Sequence, residues 1–151
     1  MDITKQAGKA PSLRDLPSRL LGQTAALVGR VAGEALAEAG SHRYAFATLA
    51  TLDAFGALSQ AELCRRTDLD RSDMNATVNA LEAEGSVTRQ ADSLDRRQTI
   101  VSLTESGRAR FEDLERRLAA AHDRALSPLS ADERSRLVGL LQRLHDHLSP
   151  S

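Results

Sequence analysis

The chain has 151 residues, 41% of them hydrophobic but only 3% aromatic, a length that admits one ordinary hydrophobic core and excludes two. No apolar run approaches the roughly 20 residues of a membrane span, and a single cysteine, Cys64, excludes an internal disulfide. A formal net charge of −1 excludes a molecule coated in positive charge, so any binding of nucleic acid has to use a local surface.

Ala and Leu dominate the apolar residues, which favours helices over sheets. Residues 1–12 are polar, without periodicity and without the apolar stretch of a signal peptide; a mobile arm and a cytoplasmic location are expected. Pro17 suits a first helical turn, and Leu16, Leu20, Leu27 and Val31 then form one stripe on a long helix ending near Gly40. A second helix follows Ser41, with Phe46, Leu49 and Ala50 facing inward.

Ser59-Gln60-Ala61-Glu62 has the spacing of a capping box, which starts a short helix running to about Thr67. Asp70-Arg71-Ser72-Asp73 opens the next helix about four residues later, and Gly85 ends it. The period then changes to two, in Val87 and Arg89 and again in Ile100, Val101 and Leu103, predicting a two-stranded hairpin with a charged tip around residues 92–97. Thr104 caps a long helix whose stripe is Gly107, Phe111, Leu114, Leu118, Ala121 and Ala125, broken at Pro128. Ser130-Ala131-Asp132-Glu133 is a further capping box, opening a last helix with Leu137, Leu141, Leu144 and Leu148 on one face and Leu140 widening it.

Two short helices, a tight turn and a charged-tip hairpin form the order of a winged helix-turn-helix. The fold class is therefore mostly α with a small β-hairpin wing and long flanking helices. One unit is expected over residues 13–151, with the winged module at about 41–103 and flanking helices at about 13–39 and 104–148. On the second short helix Met74, Val78 and Leu81 point inward, which leaves Ser72, Asn75, Ala76 and Asn79 outside, just after Arg71. Asparagine can pair bidentately with adenine, and serine can donate to phosphate or base; helix capping and plain solvation fit the same residues equally well.

The segment Asp95 to Thr104, DRRQTIVSLT, with Gly107 beyond it, resembles the wing of the MarR family of bacterial regulators. That pattern is D-x-R, a spacer, V-x-L-T and x-x-G, met here by Asp95, Arg97, Val101, Leu103, Thr104 and Gly107. The resemblance covers nearly the whole chain. It implies a homodimer built on the long terminal helices and a ligand-responsive repressor that binds double-stranded DNA at a palindromic operator. It also implies that Asp95 steadies the wing and that an arginine at the tip, Arg96 or Arg97, enters the minor groove, where negative potential is concentrated. Ala76 and Ala80 depart from the basic residues that many members carry on this helix. Between Gln60 and Arg110 eight arginines face nine carboxylates, so affinity would depend on how the charges are arranged.

Family members commonly hold a phenolic or other small anion between the dimer helices and the winged module, which makes His42, Arg43 and Tyr44 candidate lining residues. A surface arginine and a half-buried tyrosine are the plainer reading of the same three residues. Cys64 reads as packing rather than redox chemistry, and the histidines do not share a face that would hold a metal. No cofactor, no membrane contact and no catalysis are expected, since no nucleophile with a base in reach and no metal constellation is present. The rival reading keeps the winged-helix dimer but gives it a protein partner in place of specific DNA.

Overall fold

The computed structural model describes residues 8 and 10–150, so most of the expected N-terminal arm lies outside it. The end of that stretch is not an irregular arm: Pro11–Arg14 form a helical turn, α1, with proline in the first positions where a missing N–H costs nothing. The long helices follow as α2 (Pro17–Glu38) and α3 (Arg43–Phe55). Then come β1 (Leu58–Ser59), α4 (Gln60–Thr67), α5 (Arg71–Ala83), β2 (Val87–Ala91), β3 (Thr99–Leu103), α6 (Glu105–Ala125) and α7 (Ala131–Leu148). No helix among the described residues is long and apolar enough to cross a membrane.

Side-chain caps set the helix starts. Asp70 accepts from the Asp73 N–H at 2.7 Å and Thr104 from the Gly107 N–H at 3.0 Å, each satisfying a backbone donor that the helix leaves open. Ser130 and Glu133 complete the reciprocal capping box at α7. At α4 only half of the expected box forms. Ser59 accepts from the Glu62 N–H, but the Glu62 carboxylate turns away to Arg65 and Arg66, whose charge attracts it more strongly than a neutral N–H.

The sheet has three strands rather than the expected two, in the order β1-β3-β2 and antiparallel throughout. Leu58 pairs with Val101 and Ser59 with Ile100, while β2 and β3 pair from Val87–Leu103 to Ala91–Thr99. A two-residue strand has no periodicity to detect. The core forms where these elements converge: Leu49 and Leu52 of α3, Leu63 of α4, Met74, Val78 and Leu81 of α5, Val87 and Val101 of the sheet, and Phe111 and Leu114 of α6.

Gly107 has a specific steric reason. Its Cα lies on the Ser86 carbonyl, and a Cβ there would overlap that carbonyl and the Leu103 side chain. The close approach lets Thr104 donate to the Gly85 carbonyl at 2.6 Å, locking the end of the wing to the turn after α5. Gly85 itself adopts φ +83°, the left-handed backbone that glycine takes without a Cβ penalty.

Candidate nucleic-acid interface

Three residues, Asp68, Leu69 and Asp70, separate α4 from α5. Asp68 takes φ 57°, a left-handed conformation that aspartate tolerates better than most residues, and the chain reverses there in one step. Met74, Thr77, Val78 and Leu81 anchor α5 in the core, so Arg71, Ser72, Asn75, Ala76 and Asn79 are all exposed along its outer face. The helix start is neutral in side-chain balance, with Arg71 followed by Asp73.

The wing lies alongside. Residues 92–98 close its tip through backbone bonds from Asp92 N–H to the Gln98 carbonyl and from Gln98 N–H to the Asp95 carbonyl, both 2.9 Å. Asp95 accepts from the Arg97 backbone N–H and from its Nε, each at 3.1 Å. These donors hold the Asp95 carboxyl below its ordinary value of 3.8, and the Arg97 side chain contributes most. Arg97 is nevertheless 91% exposed, so its guanidinium is tethered at one edge and open to solvent over the rest. Arg96 is exposed and has no ion-pair partner among the described residues. Leu94 stands bare at the same tip.

Between α4, α5 and the wing runs a groove of about 720 Å³, lined by Gln60 and Cys64 of α4, Arg71, Ser72 and Asn75 of α5, and Arg89, Arg97, Gln98 and Thr99 of the wing. The structure thus brings Arg71, Ser72, Asn75 and Arg97 to one concavity, with Ala76 and Asn79 on the same helix and Arg96 on the same tip. Cys64 packs against the core and also lines this groove, so core packing describes only part of its surroundings.

Sequence reasoning missed Gln60 and Arg89. Gln60 Nε2 donates to Asn75 Oδ1 at 3.4 Å, and Arg89 donates from one Nη2 to Asn79 Oδ1 at 2.6 Å and to Glu82 at 3.0 Å. The alternation of β2 carried a signal for Arg89: it shares a face with buried Val87, where a charge requires partners, and α5 supplies them.

His42, Arg43 and Tyr44 lie at the start of α3 and hold one another. Arg43 donates to the Tyr44 hydroxyl at 3.1 Å with its guanidinium 4.9 Å from the ring centre, and the His42 ring meets Tyr44 edge-on. None of the three lines the groove beside α5. Nearby, Arg110 of α6 donates to the Ala39 carbonyl at 2.6 Å, tying α6 to the end of α2.

A family model described as the MarR family matches residues 41–98. The chain is 35% identical over 101 residues to the HTH-type transcriptional repressor NicR of Pseudomonas putida, covering 67% of this chain and 64% of that protein. It spans less than two thirds of the length of NicR and of several other curated relatives it matches. Among solved structures, a probable transcriptional regulator from Pseudomonas aeruginosa superposes with a TM-score of 0.76 at 32% identity, over 86% of this chain and 97% of that one. The PcaV transcriptional regulator from Streptomyces coelicolor, in complex with its natural ligand, superposes with a TM-score of 0.78 at 26% identity, over 93% and 99%.

Proposed function

The chain belongs to the MarR family of transcriptional regulators, and from that premise we propose that it represses transcription by gripping a palindromic operator as a homodimer until a small ligand alters the grip. The observation that carries this reading is the shared surface of α5 and the wing, an exposed row of small polar side chains beside an arginine tip. A helix face of small polar side chains is suited to the major groove. Ser72 and Arg71 meet phosphate at the helix start, and Asn75, Ala76 and Asn79 face base edges. Arg96 has no competing partner among the described residues, so it enters the minor groove, and Asp95 steadies the loop through Arg97.

The dimer rests on α2 and α7. No residue of α7 is buried, and Leu140, Leu141, Leu144 and Leu148 are exposed there, as are Leu16, Leu20, Leu21 and Leu27 of the first long helix and its approach. Bare stripes of that extent require a partner, and a second copy supplies complementary ones, setting two recognition helices roughly 34 Å apart. PcaV binds its natural ligand on the same fold, which supports a comparable site here, with His42, Arg43 and Tyr44 receiving a phenolic or other small anion. The protein acts where its DNA lies, in the cytoplasm, as a regulator and not an enzyme.

Binding of the purified protein to its own promoter-region DNA at two salt concentrations, beside the Arg96→Ala, Arg97→Ala double variant, tests the proposal. Tight wild-type binding should weaken steeply with salt, and the variant should lose about ten-fold or more in affinity together with part of the salt slope. Weak binding indifferent to the mutation would favour the rival role, a winged-helix dimer that docks a protein partner.

A further inference from the structure

Asn75 and Asn79 both stand on the outer face of α5, yet their amides are held in different ways. Arg89 reaches across from β2 and places one nitrogen 2.6 Å from Asn79 Oδ1 and 3.0 Å from a Glu82 carboxylate oxygen. A guanidinium can only donate, so the branch of the Asn79 amide that faces Arg89 is its oxygen, and the orientation of the amide is set. Glu82 anchors the arginine from the other side, and the wing strand carrying Arg89 is fixed through its pairing with Val101. Asn75 has a looser neighbour. Its contact is a neutral one, with Gln60 at 3.4 Å, which leaves its amide free to turn.

Bidentate recognition of adenine needs an amide oxygen for the base's amino group and an amide N–H for N7. Asn75 can meet both demands. On Asn79 one lone pair of the amide oxygen already accepts from Arg89, and the guanidinium charge beside the other repels an adenine amino group, while its Nδ2 group offers two donors with no partner among the described residues. Guanine presents two acceptors, N7 and O6, on its major-groove edge and matches that pair of donors.

We infer that Arg89 is a specificity-positioning residue: by fixing the Asn79 amide and placing a positive charge beside its oxygen, it biases Asn79 away from adenine and toward guanine, which it meets as a donor. The inference rests on the operator-binding reading above. Glu82 strengthens the clamp, because its carboxyl, held below the ordinary value by Arg89, stays ionised throughout the neutral range.

Selection of bound sequences from a randomised duplex pool requires no known operator and tests the inference directly, using wild type, Arg89→Met and Asn79→Ala. Methionine keeps the apolar stem and removes the donors, and Asn79→Ala leaves the wing intact should the strand change disturb folding. In wild type, one base position in each half-site should favour guanine over adenine; in Arg89→Met that ratio should fall about ten-fold, and in Asn79→Ala the same position should lose its preference. The other positions should keep their preferences. Identical selected sequences for wild type and Arg89→Met would overturn the inference, as would a wild-type preference for adenine at the position that Asn79→Ala flattens. Failure of wild type to enrich any sequence would remove operator reading itself, and this inference with it.

Discussion

The winged module, together with α6, and the outer stretches of the terminal helices, the first part of α2 and all of α7, carry apolar stripes of the same quality and dispose of them in opposite ways. In the module Leu63, Met74, Val78 and Val101 are fully buried by neighbours from the same chain. In the terminal helices Leu20 is 45% exposed, Leu141 42% and Leu148 75%, although their spacing is as regular. A stripe is core or interface according to what packs on it, and the free energy of removing it from water is available in either case. The module therefore closes within one chain, whereas α7 is held to the body mainly through Arg134, which reaches the Leu126 and Leu129 carbonyls and Asp123.

The largest effect is expected where this contrast is attacked directly. Leu141→Asp with Leu144→Asp should convert the proposed dimer into monomers in light scattering and weaken the proposed operator binding on the order of 10²-fold, while circular dichroism at ambient temperature keeps its helical signal. Loss of that helical signal would break the comparison, by showing that the module depends on the terminal helices to fold. A smaller and opposite effect belongs to Gly107→Ala. Crowding the Ser86 carbonyl should cost about 1–3 kcal/mol in denaturant unfolding, with the oligomeric state of the wild type retained at native conditions. An unchanged midpoint would mean that the junction between wing and α6 gives way easily.

The smallest effect concerns the wing alone. A carboxyl whose folded-state pKa is depressed stabilises while ionised, so the contribution of Asp95 is present above its ordinary value of 3.8 and disappears as pH falls through the lower folded value. The melting-temperature gap between wild type and Asp95→Asn should stay level from about pH 8 to pH 5 and close below about pH 4. A gap that changed near neutrality would point to a different titrating group.

Much of this architecture was legible in the chain because its signals are local. The caps at Ser59, Asp70, Thr104 and Ser130, the punctuation at Gly85 and the period-two run at Ile100–Leu103 act within a few residues of themselves. The contacts that escaped notice span distance. β1 exists because Leu58 meets Val101 across more than forty residues of sequence, and the partial box at α4 follows from competition by two nearby arginines. Asn79 looked like a free adenine reader until Arg89 was placed against it, since its nearest competitor arrives from another element.

Sequence by itself determined the order of the elements other than α1 and β1, the helix starts, the inward row of Met74, Val78 and Leu81, and the chemistry available at the wing tip, because propensity, capping and periodicity are short-range. Tertiary structure alone decided which polar groups are already engaged. It left Arg96 without an ion-pair partner among the described residues, turned the Asn79 oxygen toward Arg89, and left the leucines of the first part of α2 and of α7 uncovered. Hydrogen bonds and burial depend on distances between elements, and those distances exist only once the chain has packed.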